Sequence, residues 1–85
     1  MNTPKKPIRL FKRYKNVSGK STVSKYEIEK DAMNIIFKNG SAYRYTNQSS
    51  EPGNISKMKD LAHAGKGLGT FITDTVKDRF CRKIR

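Results

Sequence analysis

The stretch MNIIFKNGSAYRY, residues 33–45, decides the fold of this chain. Apolar residues recur at every second position along 33–37, and two tyrosines recur in the same way along 43–45. Alternation of this kind is typical of half-buried strands, and Asn39-Gly40 between two such runs is a strong hairpin signal. The stretch therefore predicts an antiparallel β-hairpin.

The register of this hairpin follows from its apolar residues. A two-residue turn would place both tyrosines on the opposite face from Phe37, whereas a three-residue loop over 38–40, with Gly40 left-handed and a bulge, would place them on the same face. A slip of one residue moves every side chain to the other face, so the register that unites the apolar set is preferred. The expected cross-strand pairs are Ile35 with Tyr43 and Met33 with Tyr45.

The flanking sequence supplies the remaining elements. Residues 22–28 alternate as a first strand, and the polar residues 46–53 predict a loop. Asn54 is a fair N-cap for a first helix, and the glycine-rich break at 65–69 separates it from a second. The first helical stripe comprises Ile55, Met58, Leu61 and Ala62. The second comprises Leu68 or Phe71, Ile72, Val76 and Phe80.

These elements predict an α+β fold in the order β-β-β-α-α. A small three-stranded antiparallel sheet carries two C-terminal helices on one face. A chain of 85 residues forms one small domain with a limited core. We expect a basic, flexible arm over 1–15, the folded domain over 16–80, and a basic tail over 81–85.

The positive charge lies at the two ends of the chain. Residues 1–25 carry eight Lys or Arg and no acid, and residues 77–85 carry five against Asp78, whereas 26–76 is neutral. The whole net charge of +12 therefore comes from the ends. Lys and Arg at this density neutralise phosphates and release counterions, which favours nucleic acid of any sequence.

The pattern within residues 16–80 resembles the KTSC domain, a family found at the C-terminus of some lysyl-tRNA synthetases and as small bacterial and phage proteins. Two motifs carry the resemblance: Val17-Ser18 before the first strand with Met33-x-Ile35-x-Phe37-x-Asn39-Gly40-x-x-Tyr43-x-Tyr45, and Ala62-x-Ala64-Gly65-x-Gly67-Leu68-x-x-Phe71-Ile72-x-x-x-Val76-x-x-x-Phe80. The loop after Tyr45 lacks the valine-proline step of the family, and Gly69 replaces a polar residue. The resemblance implies a sheet with C-terminal helices, no established catalytic residues, and plausible contact with RNA. The basic ends are not part of the family pattern.

We therefore expect a small, non-enzymatic module that binds the RNA or DNA backbone through its basic ends, with little sequence preference. The candidate contacts are Lys5, Lys6, Arg9, Lys12, Arg13, Lys15, Lys20, Arg44, Lys66, Arg79, Arg82, Lys83 and Arg85. Phe11 and Tyr14 alternate with these basic residues, and their rings could stack on unpaired nucleobases. The alternative is a small anionic nucleotide or an acidic protein partner, as for a phage factor that sequesters a host molecule. Two further hypotheses are that the basic N-terminal segment lies on anionic lipid, or that it is a solvated tail that only aids solubility.

The tyrosines, the glycine-rich break and the single histidine and cysteine are further candidates for binding or metal sites. Tyr43 and Tyr45 share a face with Met33 and Ile35, so we expect them in the core, with the outer face of the sheet (Lys25, Asn34, Lys38 and Arg44) the better surface for contact. The glycine-rich break could present N–H groups to a phosphate, but a helix–helix turn is the favoured interpretation. The single histidine, His63, and the single cysteine, Cys81, have no partners at metal-ligand spacing, and no cofactor is expected. No segment could span a bilayer, and a cytoplasmic protein is expected.

Overall fold

The computed structural model describes residues 11–84, which form a five-stranded antiparallel meander with helices on one face. The strand order in the sheet is the same as the order in the chain. The strands are β1 (Lys12–Arg13), β2 (Val23–Glu29), β3 (Ala32–Phe37), β4 (Ala42–Thr46) and β5 (Arg82–Lys83). The sheet positions four basic residues of the described part of the chain, because β1 and β5 are its edges.

The helical part follows β4 and covers the apolar face of the sheet. It consists of α1 (Asn47–Ser50), α2 (Pro52–Ala64), α3 (Leu68–Phe71) and a π-helical turn over Ile72–Val76. The core contains Tyr14, Val23, Tyr26, Met33, Ile35, Tyr45, Ile55, Met58, Ala62, Leu68, Ile72 and Val76. Every residue expected on the two helical stripes is buried in this core or packs against it. Within residues 11–84, no helix is long and apolar enough to cross a membrane.

The hairpin has the predicted register. Ile35 pairs with Tyr43 and Met33 with Tyr45. The Phe37 N–H donates to the Ser41 carbonyl at 2.8 Å, which leaves residues 38–40 as a three-residue loop, and Gly40 has a φ of 92°. The apolar residues of both strands therefore share one face, as the hydrophobic pattern required.

The prediction of three strands is wrong, because two further strands, β1 and β5, pair with the two edges of the predicted three-stranded sheet. In β1, Lys12 pairs with Tyr26 and Arg13 with Lys25. In β5, Lys83 pairs with Tyr43. Each added strand has only two residues, both charged and exposed, so it carries no hydrophobic alternation. Part of each predicted basic end therefore belongs to the sheet.

The helix boundaries also differ from those predicted. Thr46 caps α1, since its hydroxyl accepts from the Ser49 N–H at 3.0 Å, within the segment expected to be a loop. Pro52 begins α2, ahead of the predicted cap at Asn54. The second predicted helix ends at Val76, so Phe80, which was expected on its apolar stripe, lies outside the helix and still packs against the core. The N–H of the next residue, Cys81, donates to the Arg44 carbonyl at 2.6 Å.

Candidate nucleic-acid interface

A basic groove lies where β1 meets β2. Its cations come from three separate segments, because β1 pairing brings Arg13 opposite Lys25, and the Lys38 N–H donates to the Thr22 carbonyl at 2.8 Å. The groove has a volume of about 340 Å³. Its lining residues are Arg13, Tyr14, Lys15, Asn16, Val23, Ser24, Lys25 and Lys38. We call this the basic groove.

The charges of the basic groove are of one sign. Among its described lining residues there are four cations and no carboxylate. Arg13 and Lys25 stand directly opposite each other, and like charges in cross-strand pairs are destabilising. A bound anion would relieve this repulsion, so the groove is suited to phosphate groups.

The wall of the basic groove is anchored to the core through Tyr14. Tyr14 is only 3% exposed, and its hydroxyl accepts from the Leu68 N–H at 3.2 Å. Three residues further on, the Val17 N–H donates to the Gly65 carbonyl at 2.8 Å. These bonds hold the segment after β1 against the helices. The suggestion that Tyr14 stacks on bases is therefore wrong, because its ring is not accessible.

The predicted contact residue Arg44 lies in an ion pair on the outer face of the sheet. Its Nη1 and Nη2 donate to the two Glu29 carboxylate oxygens at 2.9 and 3.1 Å. The Nδ2 of Asn34, which is fully buried, donates to Glu29 at 2.9 Å and to Glu27 at 2.8 Å. The hydrogen bonds to Glu29 raise the pKa of Arg44, against the opposing effect of its partial burial. This network of two carboxylates, one amide and one guanidinium lies between the cations of the two sheet edges.

The C-terminal cations lie at the other edge of the sheet. Arg82 and Lys83 are exposed on β5, four strand spacings or about 19 Å from β1. Arg79 is 54% exposed and approaches Glu51 at 3.6 Å. The structure thus places Arg13 and Arg82, with the cations next to them, at opposite edges of the sheet and does not bring them together.

The remaining predicted contacts can be placed only in part. Lys12 is exposed on β1 but does not line the basic groove. Lys20 is exposed in the loop before β2, and Lys66 is exposed next to Gly65, beside the segment that follows β1. The other four candidates lie outside the described residues: Lys5, Lys6, Arg9 and Arg85.

The two tyrosines of the hairpin differ in accessibility. Tyr45 is 2% exposed in the core, as predicted. Tyr43 is half-buried and stands between two other rings, with centroid distances of 5.9 Å to Phe37 and 4.6 Å to Phe80. The Lys83 Nζ lies 6.0 Å from the Tyr43 ring centroid, within cation–π range.

Phe37 and Tyr43 line a second groove, with a volume of about 430 Å³. Its other lining residues are Ser21, Thr22, Lys38, Asn39 and Ser41. We call this the aromatic groove. Lys38 lines both grooves, so the two are adjacent.

The glycine-rich break has the geometry of a turn between helices. Gly65 caps α2 with a φ of 78°, and its N–H donates to the Leu61 and Ala62 carbonyls. A Cβ built on Gly65 would lie 2.6 Å from the Lys15 Cβ, and one on Gly69 would lie 3.0 Å from the Ser21 Oγ. Close packing therefore accounts for these two glycines, which favours the turn over a phosphate cradle.

Comparison with known proteins places this chain in no family. No protein-family model, no curated protein and no solved structure matches it. The resemblance to the KTSC domain therefore stays a prediction.

Two cations of the basic groove, Lys25 and Lys38, were predicted on the outer face of the sheet but were not linked to Arg13 and Lys15. The link depends on the pairing of β1 with β2, for which two charged residues give no sequence signal. The absence of acids over residues 1–25 was the only available indication, and it marked a region rather than a site.

Proposed function

We propose that this protein is a small, non-enzymatic module that binds the phosphate backbone of RNA or DNA with little sequence preference. The observation that carries the proposal is the basic groove, in which Arg13, Lys15, Lys25 and Lys38 converge without a carboxylate among the described lining residues. This cluster of cations binds a polymer of phosphates more strongly than it binds a single small anion, because each phosphate contact with the polymer releases counterions.

The net charge of +12 supports the same proposal. A field of this size increases the rate of encounter with any polyanion. The cations on β5 extend the positive surface to the second edge of the sheet, so a long polymer has more contacts than the groove alone supplies. Little sequence preference is expected, since phosphates carry no sequence information.

The alternative partners, a small anionic nucleotide or an acidic protein, share the attraction to positive charge. The packing of Gly65 and Gly69 does not favour a nucleotide site at Lys66. We therefore place the polymer first and retain the nucleotide as an outcome of the test.

The test is fluorescence anisotropy with two labelled single-stranded 20-mers of unrelated sequence, titrated at several salt concentrations. Four groove contacts alone predict that log K falls by about three per decade of salt, and six contacts predict about four. The two oligomers should bind with similar affinity. A flat salt response, or ATP competing as well as the polymer at equal phosphate concentration, would contradict the proposal.

A further inference from the structure

We propose that the aromatic groove binds an unpaired nucleobase of a single strand whose phosphates occupy the basic groove. This inference rests on the function proposed above and specifies the class of nucleic acid. The juxtaposition that carries it is an accessible pair of rings, Phe37 and Tyr43, directly beside four converging cations.

The rings of the aromatic groove are held in place. Tyr43 packs against Phe80 with an interplanar angle of 32° and against Phe37 edge-on at 65°. The groove lies at the hairpin end of the sheet, and both Phe37 and Tyr43 keep part of their surface accessible. A fixed, partly exposed ring offers a stacking surface at little cost in conformational entropy, and every base has a face that can stack on it.

The two grooves are adjacent through one shared residue and neighbouring segments of the chain. Residues 21 and 22 line the aromatic groove, and residues 23–25 line the basic groove, so β2 and the loop before it pass from one to the other. Lys38 stands between them and lines both. A phosphate near Lys38 would therefore leave its base within reach of Phe37 and Tyr43.

The neighbouring cations favour a base that is attached to a phosphate backbone over a purely apolar occupant. The Lys83 Nζ lies 6.0 Å from the Tyr43 ring centroid, so a further cation stands near this ring. A positive groove combined with aromatic side chains is the arrangement with which proteins bind single strands without sequence preference. In a duplex the bases are already stacked and paired, so they could not enter the groove.

The experiment compares two labelled 12-mers with the same number of phosphates, oligo(dT) and an abasic oligomer, at a fixed low salt concentration. Stacking of one base predicts that the full chain binds oligo(dT) about 5- to 150-fold more tightly than the abasic oligomer. This comparison uses only the natural chain, so it does not depend on the folding of any variant.

Variants then locate the preference in the groove. Phe37→Leu should reduce the preference for oligo(dT) to within about twofold of the abasic oligomer, since the stacking surface is lost. Tyr43→Phe, which keeps the ring, should retain the preference. The matched control is Phe71→Leu, because Phe71 packs against the core and lines neither groove.

The outcomes separate this inference from the proposed function. Equal binding of both oligomers with a steep salt dependence would overturn the base site and leave backbone binding intact. Binding of neither oligomer would overturn both. A preference that Phe37→Leu leaves unchanged, with the variant folded by circular dichroism, would show that the base binds elsewhere and would overturn the assignment to this groove.

Discussion

Tyr43 and Tyr45 lie two residues apart on the same face of β4, yet the structure gives them different roles. Tyr45 is 2% exposed beneath the helices, whereas Tyr43 remains partly accessible at the hairpin end of the sheet. Burial raises the pKa of Tyr45 to about 12, and the charge of the neighbouring Tyr43 makes a smaller contribution in the same direction. The core tyrosine therefore resists ionisation in the folded state.

The raised pKa of Tyr45 predicts a loss of stability at alkaline pH. In the unfolded chain the phenol ionises near its ordinary pKa of about 10, whereas in the fold it stays protonated up to about 12. Between these values the unfolded state binds fewer protons, so the free energy of unfolding falls as pH rises. We expect a loss of about 2–3 kcal/mol between pH 10 and 12, measured by urea denaturation.

Tyr45→Phe isolates this effect from the lysines that lose charge over the same range. The difference in unfolding free energy between the natural chain and the variant should shift in favour of the variant above pH 10. A difference that stays constant from pH 8 to 12 would show that Tyr45 ionises in the fold as easily as in the unfolded chain.

At the scale of elements, the C-terminus of α2 fixes the segment that follows β1. Gly65 is left-handed, with a φ of 78°, and its α-carbon lies against the Lys15 side chain while its carbonyl accepts from the Val17 N–H. This contact holds one wall of the basic groove. The glycine therefore serves two purposes: it ends a helix, and it allows a close approach between segments that are distant in sequence.

Three glycine-to-alanine variants should differ in a defined order. Gly65→Ala should lose more than about 2 kcal/mol of stability, because left-handed strain of about 1–2 kcal/mol adds to a Cβ placed 2.6 Å from the Lys15 Cβ. Gly40→Ala, with a φ of 92° and open space around it, should lose about 1–2 kcal/mol from strain alone. Gly53→Ala, within α2 and in open space, should be neutral or gain up to about 1 kcal/mol.

Urea denaturation of the three variants measures these differences. If Gly65→Ala costs no more than Gly40→Ala, the segment after β1 is free to move away from α2, and the wall of the basic groove is not held by this contact.

At the scale of the whole molecule, the hairpin was predictable from sequence because its residues obey local rules. Alternation at Met33, Ile35, Tyr43 and Tyr45 set the register, and Asn39-Gly40 set the turn. The helical stripes were predictable as far as Val76 for the same reason, since their apolar positions recur with a helical period, whereas Phe80 lies beyond the last helix.

The sheet edges, and with them the candidate site, were not predictable. β1 and β5 each have two charged residues, and they become strands only because the edges of β2 and β4 offer free backbone groups. Sequence therefore indicated which regions carry the charge, but not that Lys25 and Lys38 complete a groove with Arg13 and Lys15. Long-range pairing determines that arrangement, and local patterns do not report it.

The most direct test of the central claim, that the basic groove contacts phosphates, is the salt dependence of binding in two variants of equal net charge. Lys25→Gln/Lys38→Gln removes two groove cations, and Lys30→Gln/Lys57→Gln removes two exposed lysines outside the groove. For a single strand, the groove variant should flatten the slope of log K against log salt by about 1.4, and the control should leave it unchanged. Equal slopes in the two variants would contradict the claim, because binding would then follow net charge and not the groove.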